Sequence, residues 1–275
     1  FVGEGRGTTI IDFNDGAFQV IASGSAGSER VNIRIENLTI QNSADLNSGL
    51  YLNFCDFFHL NNVRVTSGGP GASIGGIRIA NCDNFILENC RSDTNTGIGY
   101  WFTDSDQFTA INCNASSNTE QGFYISDGVD LCSFISCVAD SNTDDGFDNN
   151  ATVEEETFIG CIAMNNGGIG YDIDSIGAYL FGNLASANTG DGFEINGQRI
   201  ILIGNTSTGN GTEYDFGPLT NQQATIIGNS IPVGSTTVPS TEYSETDEEV
   251  MSLGNLGASP RTEKNMLRMQ NVSGG

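Results

Sequence analysis

Short segments of alternating apolar and polar residues follow one another along most of this chain, and they return in the same order. A typical copy contains QFTAIN, then CNASS, then GFYISD, and Asn, Gly, Asp or Ser separates the segments. Alternation over a few residues is the pattern of a half-buried β-strand. No copy contains the run of about ten helix-forming residues that a helical repeat needs. Each copy therefore predicts three short strands.

The copies recur at a nearly constant spacing of 22 to 27 residues, measured on a glycine that follows the polar turn. These glycines are Gly49, Gly76, Gly99, Gly122, Gly146, Gly170 and Gly192. A second column contains Asn42, Asn95, Asn118, Asn142, Asn166, Asn188 and Asn210. A third contains Asn37, Asn62, Asn89, Asn112, Asn183, Asn205 and Asn229, with Ser136 and Gly160 in its two gaps. Self-similarity of this period indicates a solenoid in which each coil packs on the next.

Three strands per copy, stacked coil on coil, predict an all-β fold. We predict a single-stranded right-handed parallel β-helix of about nine coils with 22–27 residues each. The period stops after Ser230, so we assign residues 1–230 to the β-helix and residues 231–275 to an irregular C-terminal linker, capping or oligomer-contact segment. The first residues, FVGEGRGTTIIDF, already have the pattern of a coil interior, and we expect further polypeptide before them.

The columns of turn glycines and asparagines between Val31 and Ser230 resemble the right-handed β-helix repeats of the pectate-lyase-like superfamily. That superfamily includes polysaccharide lyases, glycosidases, uronan epimerases and phage tailspikes. The resemblance implies the fold and leaves several activities open, because one solenoid carries many functions. Its tailspike branch further implies a homo-oligomer, a trimer, located outside the cell or on a virion surface.

The charge of the chain narrows the choice of partner. It has 34 acidic residues against ten Lys and Arg, a formal net charge of -24 and a single lysine, Lys264. Phosphate binding depends on Lys and Arg, so nucleic acid and anionic membranes are disfavoured. No apolar run approaches the roughly 18 residues of a membrane span. We therefore expect a polysaccharide or cell-surface glycan as partner, with no nucleic acid and no membrane insertion.

Four of the seven cysteines form one column on successive coils: Cys90, Cys113, Cys137 and Cys161. A line of thiols is not the tetrahedron that zinc requires, and parallel Cβ vectors make disulfide bridging awkward. We expect buried, reduced thiols that pack as small hydrophobic groups.

The residues after each turn glycine identify an outward face. Positions one and three after the glycine are apolar, so the residue between them must point outward. Along the stack this outward column is Tyr51, Arg78, Trp101, Tyr124, Asp148, Asp172, Glu194 and Asp215. Exposed aromatic rings stack on sugars, whereas carboxylates act as acids and bases or bind Ca²⁺.

We assign glycan binding to Tyr51, Arg78, Trp101 and Tyr124, and name Asp148, Asp172, Glu194 and Asp215 as catalytic candidates. Carboxylates on adjacent coils should lie about 5 Å apart, as in retaining glycosidases, and those two coils apart about 10 Å. Mutual repulsion should raise the pKa of at least one of them. Ca²⁺ is an option at Asp145, Asp148, Asp172 and Asp174, and no other cofactor is expected.

Two specific enzyme activities fit less well. The segment SNTDDGFDN resembles the NTDG-type motif of polygalacturonase-like glycosidases, with Asp144, Asp145 and Asp148 at the matching positions. The downstream His-Gly and Arg-Ile-Lys elements of that family are missing. A lyase needs an Arg or Lys base. The only cluster available for that role, Arg64, Arg78 and Arg91, precedes the acidic coils.

Three hypotheses remain open. The first and favoured one is a tailspike-like or otherwise extracellular protein that recognises a polysaccharide along the outward column. The second is an endo-glycosidase that uses paired carboxylates on adjacent coils. The third is a purely structural virion or surface-filament component, in which the acidic column serves only solubility.

Overall fold

The computed structural model of the protein describes residues 2–16, 20–43, 48–67, 75–150, 152–216, 224–230 and 250–253. Every regular element among them is a β-strand, and these residues contain no helix. The strands in chain order are β1 (Ile10–Gly16), β2 (Val20–Ser23), β3 (Arg30–Val31), β4 (Arg34–Ser43), β5 (Leu50–Asn53), β6 (Cys55–Asp56), β7 (His59–Thr66), β8 (Ile77–Ala80), β9 (Ile86–Glu88), β10 (Arg91–Asp93), β11 (Tyr100–Thr103), β12 (Thr109–Ile111), β13 (Asn114–Ser116), β14 (Phe123–Ile125), β15 (Ser133–Ile135), β16 (Val138–Asp140), β17 (Phe147–Asn149), β18 (Thr157–Ile159), β19 (Ile162–Met164), β20 (Tyr171–Ile173), β21 (Tyr179–Phe181), β22 (Leu184–Ser186), β23 (Phe193–Ile195), β24 (Ile200–Ile203), β25 (Thr206–Thr208), β26 (Tyr214–Phe216), β27 (Ala224–Ile227) and β28 (Val250–Leu253).

Strands of successive coils pair in parallel. Among the described residues, one sheet has nine strands, in the order β2, β5, β8, β11, β14, β17, β20, β23 and β26. The strands that follow in each coil belong to a larger, 17-stranded sheet, in which pairs such as β15 and β16 are separated by one tight turn. The predicted right-handed parallel β-helix is confirmed.

The number of turns differs slightly from the prediction. The structure has about seven turns, whereas the sequence indicated about nine. From β5 to β25 each turn has all of its strands described, while β2 and β26 lie in terminal coils interrupted by residues outside the described ranges. The count from the sequence treated these terminal coils as complete.

Beyond Ser230 the structure describes one further strand, β28. It pairs in parallel with β27, and Leu253 lies opposite Ile227. The backbone stack therefore continues past the point at which the sequence period stops. The other residues of the predicted C-terminal segment lie outside the described ranges, so its predicted role and the boundary at residue 230 stay predictions.

A continuous stack of aromatic rings fills the core beneath the nine-stranded sheet. Successive ring centroids are 4.7, 4.7, 5.0, 4.7 and 4.9 Å apart along Tyr100, Phe123, Phe147, Tyr171, Phe193 and Tyr214. This spacing matches the distance of about 4.8 Å between neighbouring strands, so each ring packs face to face on the ring of the next coil. The column predicted to point inward is the core.

The glycines before these rings are required by the close approach of successive coils. A Cβ on Gly99 would lie 2.5 Å from the carbonyl oxygen of Gly122, and one on Gly122 would lie 2.7 Å from that of Gly146. No side chain fits at such distances, so only glycine lets the backbones stack there.

A ladder of buried asparagines supports the turn after the third strand of each coil. The backbone N and the Nδ2 of each residue donate to Oδ1 of the next, over 2.9 to 3.1 Å. The members are Asn95, Asn118, Asn142, Asn166, Asn188 and Asn210. From Asn118 to Asn210, each carboxamide oxygen receives two hydrogen bonds from the preceding coil, which satisfies polar groups inside the solenoid.

The structure corrects the register of both predicted asparagine columns. Asn42 has a left-handed φ of 57° and aligns with Thr94, one position before the ladder. In the third column, Asn183 lies opposite Cys161, whose backbone N donates to Asn183 Oδ1 at 2.8 Å. Asn183, Asn205 and Asn229 thus continue the cysteine column, and glycines occupy the left-handed position before them. All seven cysteines are free and buried, as predicted.

We expect Asn142→Ala to lower the free energy of unfolding by about 2 to 4 kcal/mol, because the buried donors of Asn118 lose their acceptor. Chemical denaturation measures this change. The matched control is Asn114→Ala, since Asn114 is half-buried on β13 and its Oδ1 has no hydrogen-bond partner. The control should cost less than about 0.5 kcal/mol. Equal losses in the two variants would contradict a stabilising role for the ladder.

Candidate functional site

The eight outward residues named from the sequence form one row across the nine-stranded sheet. Strand pairing aligns each of them with the next, and we call them the site row: Tyr51, Arg78, Trp101, Tyr124, Asp148, Asp172, Glu194 and Asp215. All are half-buried, whereas the residues on either side of each within its strand are buried in the core. The structure thus brings the proposed glycan-binding and catalytic residues onto one surface, and their roles stay predictions.

Arg78 is held between two aromatic rings in the first half of the site row. Its guanidinium carbon lies 5.0 Å from the ring centroid of Tyr51 and 4.2 Å from that of Trp101. Its Nε is buried without a hydrogen-bond partner, and none of the ion pairs among the described residues includes it. Two cation-π contacts therefore fix a positive charge that has no carboxylate partner in the described part of the chain.

The indole of Trp101 is fixed by its polar edge. Its Nε1 donates to Ser126 Oγ at 3.0 Å, and Ser126 Oγ in turn donates to the carbonyl oxygen of Phe102 at 2.9 Å. The Tyr124 ring lies next in the row, with its centroid 6.2 Å from that of Trp101 and its plane tilted by 41°. The two rings form a preorganised aromatic platform, and the contribution of Ser126 was not predicted from the sequence.

Asp148 and Asp172 are the first two residues of the acidic half of the site row, which runs from Asp148 to Asp215. Burial raises the pKa of Asp148 to about 7 and that of Asp172 to about 8, and neighbouring carboxylates add to both shifts. Raised pKa values were predicted from repulsion alone, but desolvation is the larger cause. Gln121 Nε2 donates to Asp148 Oδ2 at 3.1 Å, which favours ionisation of Asp148, whereas Asp172 Oδ1 is buried without a partner. Asp148 should therefore lose its proton before Asp172.

The other acidic residues near the row have separate contacts. Asp145 Oδ1 accepts a hydrogen bond from the Ile169 backbone N at 2.5 Å, and burial raises the pKa of Asp145 to about 6. Glu194 Oε1 accepts from Asn196 Nδ2 at 2.9 Å. Among the described residues, no three His, Cys, Asp or Glu side chains are grouped so as to hold a metal ion. The Ca²⁺ option at Asp145, Asp148, Asp172 and Asp174 thus gains no support from the geometry and stays a prediction.

A buried polar cluster behind the acidic half was missed by the sequence analysis. Glu156 is fully buried, and its Oε1 accepts hydrogen bonds from Asn149 Nδ2 at 2.5 Å and from Ser175 Oγ. Asn149 Oδ1 accepts from the Asp174 backbone N at 2.7 Å, so the cluster supports the backbone two residues after Asp172 of the site row. The available signal was Asn149 itself, because an amide stands there in an inward column of aliphatic and aromatic residues.

The three arginines considered as a lyase base, Arg64, Arg78 and Arg91, do not lie together in one site. Arg64 donates to Asp93 through Nε at 2.8 Å and Nη2 at 2.6 Å, and Arg91 Nε lies 2.8 Å from the same carboxylate. Both arginines lie on strands of the 17-stranded sheet, whereas Arg78 lies on β8 of the nine-stranded sheet. Arg78 therefore stands apart from the other two.

Comparison with protein families defines the class of this protein as a β-helix. The sequence model of the family described as "Right handed beta helix region" matches residues 5–158, more than half of the chain. The chain belongs to this family. In a comparison with curated proteins, no sequence matches it.

Solved structures share the fold at low sequence identity. Pectate lyase Pel9A has a TM-score of 0.66 and 20% identity, over 94% of this chain and 70% of the lyase. The A-module of the Azotobacter vinelandii mannuronan C-5 epimerase AlgE6 has a TM-score of 0.62 and 16% identity, over 94% and 83%. The gp42 tailspike of Acinetobacter phage vb_AbaP_AS12 has a TM-score of 0.51 and 14% identity, over 85% and 42%. At these identities the comparisons establish the fold alone.

Among the described residues, no helix has the length and hydrophobicity needed to cross a bilayer.

We expect Glu156→Gln to stabilise the protein at alkaline pH. Burial raises the pKa of Glu156 from 4.5 to about 7, so the folded state holds this proton more tightly than the unfolded state. Its stabilising contribution is complete below about pH 4.5 and is lost as the pH rises through about 7. Between pH 4.5 and pH 8, denaturation should show the variant gaining at least about 1 kcal/mol over wild type.

The control for this measurement is Glu155→Gln, because the neighbouring Glu155 is exposed. It removes the same charge from the chain without changing the core. A gain of similar size and pH dependence in the control would show that net charge, and not the buried carboxyl group, is responsible.

Proposed function

We propose that this protein binds a polysaccharide along the site row. The observation that carries the proposal is the arrangement of Tyr51, Arg78, Trp101 and Tyr124, in which aromatic rings hold one guanidinium group in register on four successive strands. Half-buried aromatic side chains in a row provide apolar faces for sugar rings. Seven steps of about 4.8 Å make the whole row about 34 Å long, which suits an extended chain better than a small ligand.

Arg78 selects the kind of polysaccharide. Its charge is partly desolvated between two rings and lacks a carboxylate partner in the described part of the chain. An anionic substituent of the glycan would provide that partner, and ion pairs with guanidinium are among the stronger polar contacts. We therefore favour an acidic polysaccharide, whose anionic group binds at Arg78 while neighbouring sugars stack on Trp101 and Tyr124.

The acidic half of the row is compatible with such a ligand. Asp148 and Asp172 retain protons up to about neutral pH, which reduces their repulsion of an anionic chain. The fold comparisons add support, since the similar structures include a pectate lyase and a mannuronan epimerase, whose names state that they act on polysaccharides. The shared fold with a phage tailspike supports the proposal that this protein is located outside the cell or on a virion surface.

We expect Trp101→Ala to weaken binding to a responsive polysaccharide at least about fivefold, because stacking of a sugar on a single ring contributes about 1 kcal/mol. Arg78→Gln should weaken binding to acidic polysaccharides more than to neutral ones. A panel of neutral, uronate-containing and sulfated polysaccharides, measured by calorimetry or affinity electrophoresis, tests both variants.

Tyr179→Ala is the matched control, because Tyr179 is an exposed aromatic residue on the 17-stranded sheet. It should bind like wild type. If Trp101→Ala and Tyr179→Ala bind equally well, or if no polysaccharide in the panel binds, the site row is not a glycan-binding surface and the purely structural hypothesis gains.

A second candidate function is glycoside hydrolysis at Asp148 and Asp172. The specific observation is that these carboxyl groups lie on adjacent strands and differ in environment, one hydrogen-bonded to Gln121 and the other with a buried, unpartnered oxygen. One coil step of about 5 Å is close to the carboxyl separation of retaining glycosidases. Asp148 with Glu194, two strands apart, is the alternative pair for inversion.

In a retaining reaction Asp172 would donate its proton to the glycosidic oxygen as the bond to the anomeric carbon breaks. Ionised Asp148 would attack that carbon and form a glycosyl ester. Water would then hydrolyse the ester, and Asp172 would take up the proton of the water. The order of ionisation suits these roles, since Gln121 stabilises ionised Asp148 while Asp172 holds its proton to higher pH.

If the protein is a hydrolase, Asp172→Asn should lower the release of reducing ends at least 1,000-fold while binding is retained. Activity should be greatest between about pH 7 and 8, where one proton is shared by the pair. Asp140→Asn, on the 17-stranded sheet, is the control and should remain fully active. Binding without any release of reducing ends by wild type would exclude hydrolysis of that polysaccharide and leave recognition as the function.

A further inference from the structure

A second surface of the solenoid has the opposite chemistry to the site row. The last residues of successive strands in the 17-stranded sheet align through strand pairing and point away from the core: Ile111, Ile135, Ile159, Phe181, Ile203 and Ile227. Just beyond the tight turn, Val138, Ile162 and Leu184 form a parallel outward column. We call these two columns the apolar strip. Ile159 is 41% exposed, and the others are half-buried.

This strip is unusual on a chain of such composition. None of its residues is charged, although the protein carries 34 acidic residues and a formal net charge of -24. On an outward strand face, polar and charged residues are the norm, and a contiguous apolar patch on a soluble surface marks an interaction site. The strip runs parallel to the solenoid axis over five coil steps, or about 24 Å.

We propose that the apolar strip packs against the same strip of a second copy of this chain. The charge distribution favours this partner, since two molecules of net charge -24 repel each other over most of their surfaces. An uncharged face is where that repulsion is weakest and the gain from burying apolar surface is greatest. An isologous contact also covers both strips at once.

The spacing of the side chains points to the same partner. Each row of the strip repeats at the coil rise of about 4.8 Å, and a second copy has rows with that same repeat. The side-chain rows of one strip can therefore fit between those of the other along the whole length, which gives close packing. A partner of another fold would match this spacing at one or two rows only.

The size of the strip fits the apolar centre of an interface. With a width of two columns and their side chains, about 15 Å, its area is on the order of 350 Å² per copy. A standard interface buries about 800 Å² per partner, with an apolar centre and a polar rim. The first outward column of the same strands provides such a rim through Thr109, Ser133 and Thr157, together with the exposed ring of Tyr179.

Other occupants fit less well. A sugar chain prefers aromatic platforms, and the strip is mostly aliphatic. An anionic lipid surface would be repelled by the charge of the chain. The proposed contact leaves the site row free, because that row lies on the nine-stranded sheet. An isologous contact between two strips closes as a dimer, whereas the trimer implied by the family resemblance would need three strips to meet on one axis, so the number of copies is a result of the test.

Sedimentation equilibrium of the full chain over about 1 to 100 μM tests the proposal. Wild type should self-associate, and Ile159→Glu and Phe181→Glu should each weaken association at least 100-fold, because a charge enters the apolar centre. Leu131→Glu is the matched control, as Leu131 is 50% exposed in the turn before β15 and outside the strip. It should associate like wild type, and circular dichroism should show that all variants are folded.

Two results would overturn the inference. If wild type is a monomer throughout the concentration range while the two strip variants unfold at lower temperature, the strip is covered within one chain. If wild type self-associates and the strip variants associate equally well, another surface forms the contact. Because both glutamate variants leave the site row intact, their binding to polysaccharide separates this test from that of the proposed function.

Discussion

The distance of about 4.8 Å between hydrogen-bonded parallel strands is the constraint on which the rest of this structure depends. Every feature of a coil must fit the same feature of the next coil at that distance. Aromatic rings meet it by stacking face to face, as Tyr100 and Phe123 do at 4.7 Å. Asparagine amides fit this distance because each one hydrogen-bonds to the amide of the next coil. Glycines allow it because they have no Cβ that would clash with the backbone of the next coil. The aromatic, asparagine and glycine positions therefore recur in the sequence once per coil.

The same constraint builds the site row and the apolar strip. Side chains that point outward from one strand position are brought into a line, whatever their chemistry, so a change of residue type along the chain becomes a change of surface along the axis. Tyr124 and Asp148 are neighbours for this reason, although 24 positions separate them. Placing like charges in line is unfavourable. The raised pKa values of Asp148 and Asp172 reduce this repulsion, because both carboxyl groups keep their protons to higher pH.

The fold and the row were predictable because both depend on alternation and period, which the residues display directly. The register of Asn183 was not, since a coil of 22 residues permits an asparagine to stand in either of two adjacent columns, and only the hydrogen bond from Cys161 decides between them. The desolvation of Asp172 could not be predicted from the sequence either. Repulsion between neighbours can be read from a sequence, but desolvation depends on how much of a carboxyl group its surroundings cover. Glu156 shows the same limit, because nothing in the run Glu154 to Glu156 tells which carboxylate enters the core.

The hydrogen bonds of the asparagine ladder have a direction, so the loss of one amide affects the coils on its two sides differently. Within the ladder each amide accepts from the amide before it and donates to the amide after it, as Asn142 does between Asn118 and Asn166. Its Nδ2 also donates to a carbonyl oxygen of the preceding coil, that of Ala115. Loss of one amide leaves buried N–H groups without acceptors on the N-terminal side, whereas the C-terminal side loses only donors to an oxygen that tolerates it better. A defect in one coil should therefore loosen the coils before it more than the coils after it. The two ends of this rod are mechanically unequal, although its cross-section repeats.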